Sequence, residues 1–118
     1  MVCGMLPSMV LEVALIDVFP GEEDAFIAAY QIGHPILATT PGCLSVRMTK
    51  GIESASRFVL LVEWESVEAH TENFRNTERF AQWRALIGGF FAKPPLVEHF
   101  TDVEPGTRPG PDLPAAQP

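Results

Sequence analysis

The run Arg57-Phe58-Val59-Leu60-Leu61-Val62-Glu63-Trp64 decides the fold. Phe58, Leu60, Val62 and Trp64 recur at every second position, the period of a β-strand with one buried face. Val59 and Leu61 put apolar side chains on the other face too, so this strand, expected over 56–65, belongs in the centre of a sheet covered on both sides. Toward the C-terminus, Ser66 is a natural helix N-cap. A short helix is expected over 67–75, and Asn76 is positioned to cap a second piece over 77–88 that ends at Gly88-Gly89. A last strand covers 95–103, with Val97, His99, Thr101 and Val103 alternating against Leu96, Glu98, Phe100 and Asp102.

Toward the N-terminus, residues 43–50 alternate, with Leu44, Val46 and Met48 on one side and Cys43, Ser45, Arg47 and Thr49 on the other. Pro41-Gly42 precedes this strand as a turn, and Gly51 to Ala55 connects it to the next. Residues 9–19 are rich in Val, Leu and Ile and read as the first strand, ended by Pro20-Gly21. Glu22, Glu23 and Asp24 then place negative charge where a helix N-terminus favours it. Phe26, Ala29, Tyr30, Gly33 and Leu37 extend a helical pattern over 22–39. Pro35 lies inside it and predicts a kink or early stop near His34.

The order β-α-β-β-α-β gives an α+β chain of ferredoxin-like type: a four-stranded antiparallel sheet with two helical regions on one face. The opposite face mixes apolar residues with Ser45, Arg47 and either His99 or Glu98. It is too apolar for water and too polar for an ordinary core. Sheet-to-sheet packing against a second copy resolves this, so a homodimer is expected.

The 118 residues suit one domain, and 47% hydrophobic residues suffice for a core. Residues 1–8 read as a flexible leader, 9–103 as the domain, and 104–118, rich in Pro and Gly, as a disordered tail. A net charge of −7 with eight scattered basic residues argues against nucleic acid as a partner. The longest apolar stretch, Met9 to Phe19, is interrupted by Glu12 and Asp17 and falls short of the roughly 20 residues a bilayer requires. No cationic segment precedes it as in a secretory signal, so a cytoplasmic protein is expected. Cys3 and Cys43 have no CxxC partner and read as free thiols, not zinc ligands. The three His residues are far apart in sequence, so no metal-ligand cluster is expected, and neither a phosphate loop nor a nucleophile elbow is present.

Certain segments occur together in order: Thr40-Pro41-Gly42; the strand ending Val62-Glu63-Trp64-Glu65-Ser66; Glu68-Ala69-His70-Thr71; Asn73-Phe74-Arg75; Trp83-Arg84-Ala85-Leu86-Ile87; and Pro95 with Val97-Glu98-His99-Phe100. The set resembles the antibiotic biosynthesis monooxygenase family, whose members are dimeric α/β barrels. The likeness covers about 9–103.

The resemblance implies a cofactor-independent monooxygenase, with molecular oxygen as co-substrate, that oxidises a small phenolic or polycyclic aromatic, polyketide-like ligand to a quinone. In the branch with that activity the pocket groups are a Trp, a Tyr and an Arg, which fall here on Trp64, His70 and Arg84. A pocket Asn of that branch falls on Leu60. The family's haem-degrading branch uses a helix-borne His ligand and a Trp, which fall near Arg84 and Phe74, so haem degradation is disfavoured. A non-oxidative protein that binds, isomerises or cyclises an aromatic intermediate is the alternative, followed by a non-catalytic dimer.

The residues themselves bear on these roles. His70 lies three after Val67 and four before Phe74, on an apolar stripe facing the sheet. A neutral imidazole there can accept a substrate proton, or simply bond a backbone carbonyl. Arg84, four after Phe80, suits a substrate oxyanion or a salt bridge to Glu63 or Glu98. Trp64 is a pocket wall or plain core. Tyr30 and His34, one helical turn apart, are candidates for the cavity mouth, with Leu60, Phe74 and Phe80 as pocket lining. His99 reads as a dimer-face or barrel residue.

Overall fold

The computed structural model describes residues 9–103; the expected leader and tail lie outside the described residues. Strand β1 spans Val10–Asp17, helix α1 Glu23–Ala38, β2 Cys43–Lys50 and β3 Arg57–Trp64. Helix α2 spans Val67–His70 and runs into a π-helical turn over Thr71–Arg75; α3 follows at Glu78–Ile87 and β4 at Leu96–Phe100. The four strands form one antiparallel sheet in the order β2-β3-β1-β4. This is the ferredoxin-like α+β architecture expected, with β3 and β1 in the centre.

Strand parity sorts the side chains. Phe58, Leu60, Val62 and Trp64 of β3 are buried together with Ala14 and Ile16 of β1. They meet Phe26 and Leu37 of α1, Phe74 of the π turn, and Trp83 and Ile87 of α3 in one core. Each such large apolar side chain contributes about 1.5–3 kcal/mol on burial. At the strand ends, Arg57 Nε donates to Asp17 Oδ1 at 2.8 Å across the β1–β3 pair.

Four details depart from the sequence reading. The first helix does not stop near His34 but continues through Pro35 to Ala38. Proline removes one backbone donor, and the last turn is held by other means. Thr39 and Thr40 hydroxyls donate to the carbonyls of Pro35 and Ile36, and Arg79 Nη1 donates to Ile36 as well. In β2, a bulge between Cys43 and Ser45 interrupts the alternation. Cys43 therefore joins Val46 and Met48 on the core side, and Leu44 is exposed. The cap of the second long helix is Thr77, whose Oγ1 accepts from Arg79 N–H at 3.2 Å, rather than Asn76. Finally, β4 ends at Phe100, and His99 points to the helix side, so Glu98 is the residue on the open face.

Gly42 shows why the turn before β2 needs glycine. Its φ is +89°, and a Cβ there would sit 2.6 Å from Ala69 Cβ. This close approach anchors the start of α2, whose N-cap Ser66 Oγ accepts from Ala69 N–H at 3.0 Å. Beyond it, Asn76 N–H reaches back five residues to the Thr71 carbonyl at 2.8 Å. His70 and Phe74, at either end of that wide turn, both face the sheet with ring centroids 6.2 Å apart.

Candidate functional site

A cavity of about 240 Å³ lies between the sheet and the helical layer. Its floor is Ala14, Ile16 and Leu60; Leu37, Phe74, Trp83 and Ile87 wall it; Phe80, Phe91, Pro94, Pro95 and Val97 complete the apolar lining. Four polar side chains line it as well: Glu12, His70, Arg75 and Arg84. An apolar hollow with a few convergent polar groups has the form of a small-molecule site.

Its inner end is a buried polar cluster. Glu12 sits on β1 between Val62 of β3 and His99 of β4, on the inward face with Ala14 and Ile16. It is only 6% exposed. The Trp64 indole Nε1–H donates to Glu12 Oε1 at 2.9 Å. His70, 2% exposed, brings Nε2 to within 3.5 Å of the same oxygen. Its other nitrogen, Nδ1, shares a 2.8 Å hydrogen bond with His99 Nε2. The His70 ring also stacks on Trp64, with centroids 5.0 Å apart and planes 16° from parallel.

The 3.5 Å approach of His70 to Glu12 has the distance of an ion pair but not the charges of one. Burial, then the neighbouring His99 and Arg75, lower the His70 pKa to about 4, so the imidazole is neutral near pH 7. Burial also pushes the Glu12 carboxyl above its usual range, against the Trp64 hydrogen bond and the charge of Arg75, which favour the anion. A neutral imidazole faces a carboxyl that holds its proton more tightly than an exposed one. Burial, with the Glu12 charge, also raises the Cys43 thiol to about 11, which keeps it out of thiolate chemistry near neutral pH.

Arg84, an exposed residue of α3 that also lines the cavity, has its guanidinium 5.6 Å from the Phe91 ring centroid and 5.9 Å from that of Phe80. Among the described residues no carboxylate is within salt-bridge distance of it. Glu63 instead accepts from Ser45 Oγ at 2.9 Å. No group of three His, Cys, Asp or Glu side chains among the described residues is placed to hold a metal ion.

The cavity thus brings together His70, Arg84, Leu60, Phe74 and Phe80, read from the sequence as site residues. Trp64 does not line it; it stands one layer behind, touching the cavity only through His70 and Glu12. Tyr30 and His34 also lie outside the lining. Tyr30 packs edge-on against Trp83 and His34 and borders a separate surface groove with Ile27, Met48 and Phe58. His99 lies on the helix side of the sheet, against His70, rather than on the open face. The sequence reading missed Glu12 and Arg75. For Glu12, the parity it shares with Ala14 and Ile16 becomes a signal only once β1 is paired with β3.

Comparison with known proteins gives this geometry a context. A Bacillus subtilis (strain 168) protein, YczJ, is 38% identical over 95 residues, which span 80% of this chain and all of that protein. A crystal structure from Bordetella bronchiseptica, of a protein named for the antibiotic biosynthesis monooxygenases, is also 38% identical. It superposes with a TM-score of 0.79 over 82% of this chain and 99% of its own. A Caulobacter crescentus structure carrying the same family name, 24% identical over 83% of this chain and 92% of its own, shares the fold with a TM-score of 0.71. Among the described residues, no helix is long and apolar enough to cross a membrane. The sequence pattern of one family matches residues 9–86, and with these relatives it places the chain in the antibiotic biosynthesis monooxygenase family.

Proposed function

We propose that this chain is a monooxygenase that uses dioxygen without metal, flavin or haem to oxidise a small phenolic or related aromatic compound to a quinone. The observation that carries the reading is the apolar cavity lined by a buried carboxyl–imidazole pair and by the Arg84 guanidinium. Its volume, about 240 Å³, lies below the roughly 300–1,000 Å³ of sites for larger ligands, so small members of the class fit best.

The reaction asks little of the protein. A ring carbon bearing hydrogen, para to a phenolic hydroxyl, becomes a carbonyl. Loss of the hydroxyl proton leaves an electron-rich anion, which is oxidised by dioxygen as a carbon–oxygen bond forms. The ring-carbon proton then departs, the oxygen–oxygen bond breaks, and the second oxygen atom leaves as water. Substrate and dioxygen together balance every electron. The protein binds the flat ring among Leu60, Phe74, Phe80 and Trp83, removes a proton, and offers the anion the Arg84 guanidinium, which stands at the solvent-exposed rim of the cavity.

The open sheet face supports a homodimer formed sheet to sheet. Leu11, Val13, Leu15, Val59 and Leu61 cover its centre, with Ser45, Arg47, Glu63 and Glu98 around them. In this reading the face is buried by a second copy and the cavity of each protomer stays on the helical side.

Oxygen uptake by metal-free protein with anthrone and with phenols that carry hydrogen para to the hydroxyl tests the function. Turnover to quinone is expected. Absence of uptake across the panel, with a rearranged or cyclised product formed anaerobically, would establish the non-oxidative alternative instead.

A further inference from the structure

Glu12 is 6% exposed and lines the cavity from its inner end. One of its oxygens is held: Oε1 accepts from Trp64 Nε1–H at 2.9 Å and has His70 Nε2 at 3.5 Å. Among the described residues no side chain donates to Oε2. With Glu12 ionised, as a base must be, the arrangement selects one tautomeric state of the two histidines, since Nε2 of His70 must then turn a proton toward the carboxylate. If His70 carries its proton on Nε2, toward Glu12, its Nδ1 accepts across the 2.8 Å bond from His99 Nε2–H. Both nitrogens of His70 then face protein groups, and neither is left to reach a ligand. The group with an unengaged acceptor at the cavity wall is the carboxylate.

We propose that Glu12, rather than His70, is the base that takes the substrate's proton in this cavity, while Trp64 and the His70–His99 pair are positioning residues that fix the carboxylate with Oε2 toward the substrate. The assignment rests on the function proposed above and names the proton acceptor for it. In the step, the substrate O–H or activated C–H bond breaks, its electron pair stays on the substrate as phenolate or enolate, and the proton forms an O–H bond at Oε2. Glu12 returns that proton to the reduced oxygen that leaves as water, so the carboxylate is regenerated without an added donor.

Burial raises the Glu12 carboxyl above its ordinary range, which makes the carboxylate a stronger base than an exposed one. The charged and titratable groups that face Glu12 are His70 on α2, His99 on β4, Arg75 on the π turn and Cys43 on β2, with Arg84 also lining the cavity. The arginines favour the carboxylate form and so set how far burial can raise the carboxyl.

Proton removal is measurable without oxygen. Anthrone and its two-ring analogue 2-tetralone each carry a C–H next to an activating carbonyl system, and base-catalysed exchange of that hydrogen in D2O under argon is read by NMR. The wild-type protein is expected to accelerate exchange, with a rate that rises with pH to a plateau as Glu12 ionises. Glu12→Gln, which keeps an acceptor for Trp64, is expected to lose about 10²-fold or more of that acceleration and the pH-dependent rise with it. Glu12→Ala supplies a second line of evidence if folding of the Gln variant is impaired: added formate is expected to restore exchange in the cavity left behind. Circular dichroism verifies the fold of each. Wild-type exchange rates in a folded Glu12→Gln variant would overturn the assignment, and retained oxygen uptake in that variant would leave the monooxygenase reading standing. Exchange that depends on Glu12 without any oxygen uptake would support the base and remove the oxidation. A wild-type protein that accelerates exchange of neither compound would end the assignment outright.

Discussion

The indole of Trp64 and the imidazole of His70 stack with ring centroids 5.0 Å apart and planes 16° from parallel, and both turn a ring nitrogen toward Glu12 Oε1. The two residues come from different elements, the end of β3 and the end of α2. They are brought together by the tight turn at Glu65-Ser66 and the Ser66 cap. The stack is therefore a device for holding a buried carboxyl, built where sheet and helical layer join. Its members depend on one another. A carboxylate so far from water costs several kcal/mol unless donors or nearby charge compensate it.

Trp64→Phe keeps an aromatic ring on His70 and removes the N–H that Glu12 accepts. The loss of a buried hydrogen bond to a charged group is about 1–3 kcal/mol. The bond favours the ionised carboxylate, so its loss weighs most where Glu12 is charged. The destabilisation measured by urea unfolding is expected to be larger at pH 8 than at pH 5. The same difference at both values would show that the indole N–H does not act on the Glu12 charge.

His70 gives the molecule an acid-side dependence. Its pKa in the fold is about 4 against an ordinary 6.5. The unfolded chain thus takes up the proton first as pH falls. The stability from keeping this imidazole neutral is complete above about pH 6.5 and is lost as pH falls through the folded value, ~3 kcal/mol in all. Glu12 acts in the opposite sense: its folded pKa is raised, so the associated stability is present below its ordinary 4.5 and lost as pH rises through the folded value. His70→Phe retains the flat ring and is expected to flatten the fall in unfolding free energy between pH 6.5 and 4. A variant that loses stability over that range as steeply as the wild type would place the acid sensitivity elsewhere.

Much of this architecture is legible in the sequence, and the exceptions have physical causes. The alternation of Phe58, Leu60, Val62 and Trp64 is enough to set β3 and its inner face, because burial is complete on that side. β1 is different. Leu11, Val13 and Leu15 are apolar on the open face, and Ala14 and Ile16 on the inner one. With both faces apolar, nothing in the pattern of β1 alone says which side is dry, and Glu12 reads as an interruption instead of an inward carboxyl. Only the pairing with β3, Glu12 opposite Val62, resolves it. The bulge at Cys43–Ser45 is invisible for a related reason, since Leu44 is as apolar as the residues it is displaced from. His70 and Arg84 are traceable from helical spacing, whereas the coupling of His70 to His99 joins residues 29 apart through the sheet order.

Arg84 stands on the cavity wall beside Phe80 and Phe91, with no carboxylate partner among the described residues. Its side chain adds little to the core, so Arg84→Ala is expected to leave the melting temperature within a few degrees of wild type. If it stabilises a substrate oxyanion, the same change lowers kcat/KM for oxygen uptake by about 10²-fold. Arg84→Lys keeps the charge but not the planar fork and is expected to recover part of the loss. An Ala variant as fast as the wild type would remove Arg84 from the reaction.

The open face offers the last test, because it separates assembly from folding. Leu61 lies at its centre, opposite Val13 of β1 and Arg47 of β2. In an isolated protomer, Glu at this position meets water and the Arg47 guanidinium, so its cost to the fold is small. Between two packed sheets the same carboxylate loses its water, and a two-fold axis brings each substituted face against an identical one. Leu61→Glu is therefore expected to turn a dimer into a folded monomer, seen as a halved mass by light scattering with an unchanged circular dichroism spectrum. The cavity lies on the other side of the sheet, so exchange or oxygen uptake per protomer is expected to survive. A wild-type chain that elutes as a monomer at micromolar concentration would refute sheet-to-sheet pairing, and its apolar face would then need a different cover.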